Sequence, residues 1–272
     1  MNGRRTIVGL CMLCVLLVSA FAAQSASAIT GTTAFTCSKG SGTLRGEHCL
    51  TTGTAAAEYG HVAFSENATT ELIATNAKSA TNTTAAPTAK LKVTIAGVPL
   101  EIGATGVSAS GWIENKVGPS KEHYVHGKGT ITFTGVQVTK PENRGCKVTT
   151  DKEPGEGEEG VVHTTEVTLT TENEGDALAL EPVVGDEFMH FWVTCEVGKQ
   201  IPAIEGTWTC TGILKGVPEG ATVNFTHATT TTHNTFKCRG TKAGMEGSLT
   251  LSGRNKGSEA AYAPLSMTTV TT

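Results

Sequence analysis

The chain has 272 residues, 25 acidic and 21 basic side chains, and a formal charge of −4. No run of Lys or Arg longer than the Arg4-Arg5 pair occurs in it. That excludes the clustered cation needed to grip a nucleic-acid backbone, so no nucleic-acid partner is expected. Forty-six threonines and 32 glycines point to many short strands joined by tight turns.

Residues 1–28 read as a signal peptide. Arg4 and Arg5 form a basic start, Thr6 to Ala23 are almost wholly apolar, and Ala26-Ser27-Ala28 is a small-x-small cleavage site. The cut is expected before Ile29, which takes Cys11 and Cys14 away. An uncleaved anchor is the alternative, against which the small-residue site argues. No second apolar run is long enough to span a membrane, so none is expected after cleavage. Six cysteines remain: Cys37, Cys49, Cys146, Cys195, Cys210 and Cys238. An even number in an exported chain reads as disulfides. None forms a C-x-x-C pair, so neither zinc nor any other metal or cofactor is expected.

Helix signals are nearly absent; the one Ala-rich patch, Thr54 to Glu58, is cut short by Gly53 and Gly60. Residues 79–87 are polar and low in complexity. Leu91, Val93 and Ile95 alternate with polar residues, Ala96-Gly97 makes a turn, and Val98, Leu100 and Ile102 resume the alternation. That spacing predicts a β-hairpin. Ile131 with Phe133, and Val167 with Leu169, alternate with threonines in the same way. Residues 151–160 are acidic and rich in Gly. Phe188-Met189-His190-Phe191-Trp192-Val193 is apolar on both faces and reads as a strand covered from both sides, with His190 a core histidine and Trp192 buried, as Trp208 is by its pattern. One pattern recurs, with hydroxyls on one face and glycine at each end: 129–135, 206–212 and 247–253. Its unequal offsets exclude a solenoid, and three similar outer strands are expected.

The fold expected is all-β, an antiparallel β-sandwich or irregular barrel with disulfides, and one domain over 29–272. An internal boundary, if there is one, belongs at 79–87 or 151–160.

Catalytic signals are missing. Gly106-Val107-Ser108-Ala109-Ser110-Gly111 is one residue out of register with a hydrolase elbow. No H-E-x-x-H or phosphate loop occurs. His123 and His126 fall on opposite faces if their segment is a strand. His227 and His233 flank a threonine run that reads as a loop or edge. Trp112 and Tyr124 are the candidates for a ligand-binding surface, because flat aromatic rings suit the faces of sugars.

Several segments together resemble a group of secreted Thr/Gly-rich proteins from soil actinobacteria, a group with no known activity. They are Ala34-Phe35-Thr36-Cys37, Glu58 to Ala63, Lys90 to Val98, Lys140-Pro141 with Gly145-Cys146, and Gly220 to Ala228. The resemblance implies export and transfers no function. Members of the group often carry two more cysteines, near Gly103 and Val136 here, which implies that those two pair together and that Cys146 pairs with Cys195. The neighbours Cys37 and Cys49 are expected to pair, as are Cys210 and Cys238, each followed two residues later by glycine.

The functional expectation is a secreted, non-enzymatic β-protein of the cell surface or its surroundings, acting as a structural or binding module for polysaccharide or cell wall. The rivals are a secreted hydrolase of unfamiliar type and a disulfide-stabilised inhibitor.

Overall fold

A computed structural model describes residues 30–45, 51–52, 59–65, 68–75, 88–119, 122–142, 145–150, 157–171, 177–225, 235–257, 259 and 261–271. The expected signal peptide, the stretch 79–87, Cys49, His227 and His233 lie outside these residues, as does the side chain of Cys37.

Threonine, valine and isoleucine alternating with small or apolar residues favour extended chain, and every regular element described is a strand. The first strands are β1 (Thr30–Arg45), β2 (Thr51–Thr52), β3 (Tyr59–Ala63), β4 (Thr70–Thr75) and β5 (Ala89–Ile95). Next come β6 (Val98–Ala104), β7 (Gly106–Val117), β8 (His123–Thr134), β9 (Gln137–Lys140) and β10 (Lys147–Thr149). They are followed by β11 (Val161–His163), β12 (Val167–Thr170), β13 (Leu178–Pro182), β14 (Glu187–Thr194) and β15 (Gly206–Thr211). The last are β16 (Leu214–Glu219), β17 (Thr222–Phe225), β18 (Lys237–Cys238), β19 (Thr241–Asn255) and β20 (Ala263–Thr271).

The antiparallel ladders close into a barrel of eight strands, in the order β5-β6-β9-β10-β14-β15-β18-β19 and back to β5. A second ring closes in the order β4-β7-β8-β12-β13-β16-β17-β19 and back to β4. Strand β19 belongs to both. Its residues 243–247 pair with β5, and its residues 250–255 pair with β4. The chain visits the two rings alternately, two strands at a time. It changes over at Thr105, at Gly135-Val136 and at Gly212-Ile213. Gly212 has φ of +90°, and a Cβ there would stand 2.6 Å from the Thr235 carbonyl oxygen. Only glycine fits that crossing. The hairpin predicted around Ala96-Gly97 is present as β5 and β6, with positive φ at both turn residues, as a two-residue hairpin turn requires.

Eight strands enclose a space just wide enough for side chains to fill. Leu91, Leu100, Ile102, Met189, Phe191, Trp208 and Met245 fill the first barrel; Leu72, Ile113, Val125, Leu169, Leu180 and Leu251 fill the second. Phe191 stacks on Trp208 at 5.9 Å, and the Trp208 indole N–H donates to the Ile204 carbonyl at 2.7 Å. A gap of about 30 Å³ among Leu91, Ile102 and Phe191 in the first core, and one of the same size among Leu72, Leu169 and Leu251 in the second, each have room for a water molecule or two. β1 pairs with β20 and β3 to form a small sheet laid against the barrels and joined to them where β20 pairs with β19 at Pro264–Ser252 and Ala263–Gly253. No helix among the described residues is long and apolar enough to cross a membrane.

Two disulfides lie where expected, Cys146–Cys195 and Cys210–Cys238, both between neighbouring strands of the first barrel. The three recurring segments are not outer strands. β8, β15 and β19 are each paired along both edges, with their hydroxyls on the outer wall. β14 is not covered on both faces either. Phe188, Met189, Phe191 and Val193 are buried, while His190 and Trp192 are half-buried on the outer wall.

Candidate functional site

With both interiors filled, the barrel walls are the surfaces left for recognition. Trp112 stands on the outer wall of the second barrel, between its register partners Glu71 on β4 and Lys128 on β8. Ile113 and Asn115, which alternate with it, are buried. The His126 ring meets the Trp112 indole edge-on, with centroids 6.0 Å apart. Tyr124 lies two residues before His126 on the same face of β8. Trp112, His126 and Tyr124 therefore form one row, and all three are half-buried. His123 falls on the opposite face of β8 from His126, as strand geometry requires.

Charges border this row. Glu114 pairs with Lys116 at 3.0 Å. Arg254 Nε donates to Glu71 Oε2 at 2.7 Å and lies over the Tyr262 ring at 4.5 Å, while the Tyr262 hydroxyl donates to the same oxygen at 3.3 Å. The Arg254 hydrogen bond holds the Glu71 carboxyl below the usual carboxylate range.

The first barrel carries an aromatic face that the sequence reading missed. Trp192 on β14 lies between Thr149 on β10 and Thr207 on β15. Its indole N–H donates to Thr194 Oγ1 at 2.7 Å, which turns the ring along the strand. The benzo edge reaches over Gly206, where a Cβ would lie 4.0 Å from the ring. Thr209 and Thr211 continue the outer hydroxyl face of β15. The Nδ1–H of His190, two residues before Trp192, donates to Glu187 Oε1 at 2.6 Å.

A hydrolase needs a nucleophile and a base in contact. The Thr132 hydroxyl and His163 Nδ1 lie 3.0 Å apart. They are cross-strand partners of β8 and β11 on the exposed wall. The acidic stretch 151–160 reaches the described residues at 157–160, where Glu159 pairs with Lys147 at 2.9 Å. The Glu159 carboxylate raises the Lys147 ammonium above its ordinary value.

Comparison with protein-family models, with curated proteins and with solved structures finds no match for this chain.

Proposed function

We propose that this protein is an exported, non-enzymatic binding module of the cell surface or its surroundings, and that its ligand is an extracellular polysaccharide. The observation that carries the reading is the Trp192 face. The indole is held by its own N–H to Thr194 and lies beside the outer hydroxyl face of β15, which carries Thr207, Thr209 and Thr211. A ring fixed before binding loses little entropy when a pyranose stacks on it. The flanking hydroxyls both donate and accept, as sugar hydroxyls do. Trp112, with His126 and Tyr124, offers a second, more charged platform on the other barrel. Export is supported by the two disulfides and by the leader-like residues 1–28.

The test is retention of the oxidised protein from residue 29 onward on insoluble cellulose, chitin and peptidoglycan. Retention on one of them, lost in Trp192→Ala with the melting temperature unchanged, is the expected result. Loss in Trp112→Ala and not in Trp192→Ala moves the site to the second barrel. No retention on any of the three refutes the proposal.

A further inference from the structure

The rim of the first barrel near the β5–β6 turn holds a groove of about 340 Å³. Lys92, Lys140 and Lys242 line it, together with Thr94, Thr241 and Glu101. They come from β5, β6, β9 and β19, so no short stretch of sequence contains the cluster.

The lysines differ in how they are engaged. Lys92 Nζ meets Glu246 Oε1 at 2.6 Å. Lys140 Nζ stands 3.6 Å from Glu101 Oε2, and that carboxylate is already held by Lys90 at 3.2 Å and by the Thr139 hydroxyl at 2.9 Å. Lys242 is exposed and has no carboxylate partner among the described residues. Directly opposite it on β18 stands Lys237, also exposed and without such a partner among them. Like charges at one cross-strand position repel and weaken the ladder. Yet this pair joins the two strands that close the barrel beside the Cys210–Cys238 disulfide. The next cation along, Arg239, is engaged elsewhere, its guanidinium donating to the carbonyls of Ala203, Glu205 and Thr207.

We propose that this groove binds a multivalent oxyanion, a phosphate-bearing group held between Lys242, Lys140 and Lys92. The ligand supplies to Lys242 the negative charge that Lys92 and Lys140 draw in part from Glu246 and Glu101. Each ammonium has donors to spare, and the hydroxyls of Thr94 and Thr241 add two more. The volume suits a pyrophosphate or one repeat of a phosphodiester polymer and is too small for a folded partner. The site is separate from the Trp192 face and stands or falls without it.

The test uses pyrophosphate and a poly(glycerol phosphate) chain, titrated into the oxidised protein from residue 29 onward. Binding is read by calorimetry and by amide shifts at Thr241 and Lys242. The expected result is saturable binding of pyrophosphate that weakens about tenfold or more in Lys140→Gln/Lys242→Gln and weakens as salt rises. Lys256→Gln, in the distant β19–β20 turn, and Trp192→Ala leave it unchanged. Tighter binding of the polymer than of pyrophosphate assigns the natural source to an extracellular phosphodiester; the reverse assigns it to the free anion. No binding on the order of 10 mM pyrophosphate, or binding equal in the double variant, overturns the proposal.

Discussion

Asn115 ties the small β1–β3–β20 sheet to the barrels, and its removal has a cost that can be worked from the geometry. The residue is 3% exposed on β7. Its Oδ1 accepts from the Ala34 N–H at 2.9 Å, and its Nδ2 donates to the carbonyls of Ala34 and Phe64, each at 3.0 Å. The side-chain amide thus bridges the Ala34 N–H and the Phe64 carbonyl, where the β1–β3 ladder runs out beyond the Phe35–Ala63 pair. Asn115→Ala deletes three hydrogen bonds, each worth about 1 kcal/mol net. It also strands the Ala34 N–H and the Phe64 carbonyl, while the Ala34 carbonyl keeps the Phe64 N–H at 3.4 Å, which raises the loss toward about 5 kcal/mol where water stays out. The expected loss is therefore about 3–5 kcal/mol. Asn115→Asp costs more, because a carboxylate then faces two carbonyl oxygens out of water. The assay is denaturant unfolding at neutral pH of the oxidised protein from residue 29 onward, with hydrogen exchange read at the Ala34 amide. A loss below about 1 kcal/mol with unchanged Ala34 protection refutes the reasoning, as does an Asp variant more stable than the Ala one.

Two further outcomes are expected. Replacing Cys146 and Cys195 together by Ala opens a link spanning 49 residues and lowers stability by about 4 kcal/mol on the chain-entropy account, measured by denaturation without reductant; a loss under about 1 kcal/mol shows the link adds nothing. For Glu101, burial pushes the carboxyl up, and the Thr139 hydroxyl with the Lys90 and Lys140 ammonium groups outweighs it, so the group titrates below the usual range. A carboxyl with a depressed folded pKa stabilises above its unfolded value and stops doing so as pH falls through the folded one. Glu101→Gln is therefore less stable than the parent at neutral pH, by about 2 kcal/mol, and the gap closes on acidification below about pH 4; a gap that stays constant down to pH 2 contradicts the assignment.

Local features were legible where a strand keeps its two-residue period. The β5–β6 hairpin follows from Leu91, Val93 and Ile95 meeting Val98, Leu100 and Ile102 across Ala96-Gly97. Trp112 and Tyr124 stand out in the sequence by their flat rings alone, and it is the β7–β8 pairing that places them in one row. Trp192 was not. The β14–β15 register shifts between Glu187 and Met189, so Phe188 and Met189 both turn inward. That break in phase makes the run look apolar on both faces and hides the outward face of His190 and Trp192. Ring closure was illegible for a different reason. It depends on β5 meeting β19, with Val93 opposite Ala243, and nothing local to either segment encodes the partner. The lysine groove shares that cause, since its cations are brought together only when the first barrel closes.

The threonine content follows from this architecture. A filled eight-strand barrel leaves one face of every strand on the outer wall, and the residue there must favour extended chain while tolerating water. Threonine does both, and it turns the wall into a lattice of donors and acceptors. Thr207, Thr209 and Thr211 alternate with buried Trp208 and Cys210 in this way. The same barrel carries both surfaces proposed for recognition. Among the described residues both disulfides brace the first barrel, and the fixed Trp192 indole and the lysine groove lie on that barrel too. A flat platform and a charged rim discriminate only if their strands hold register. The Cys146–Cys195 link sits one residue from the Lys147–Thr194 pair, in the two strands that carry Thr149 and Trp192. The Cys210–Cys238 link sits between Thr209 and the facing Lys237–Lys242 pair. Each disulfide fixes the register of the strand pair on which one of the two surfaces depends.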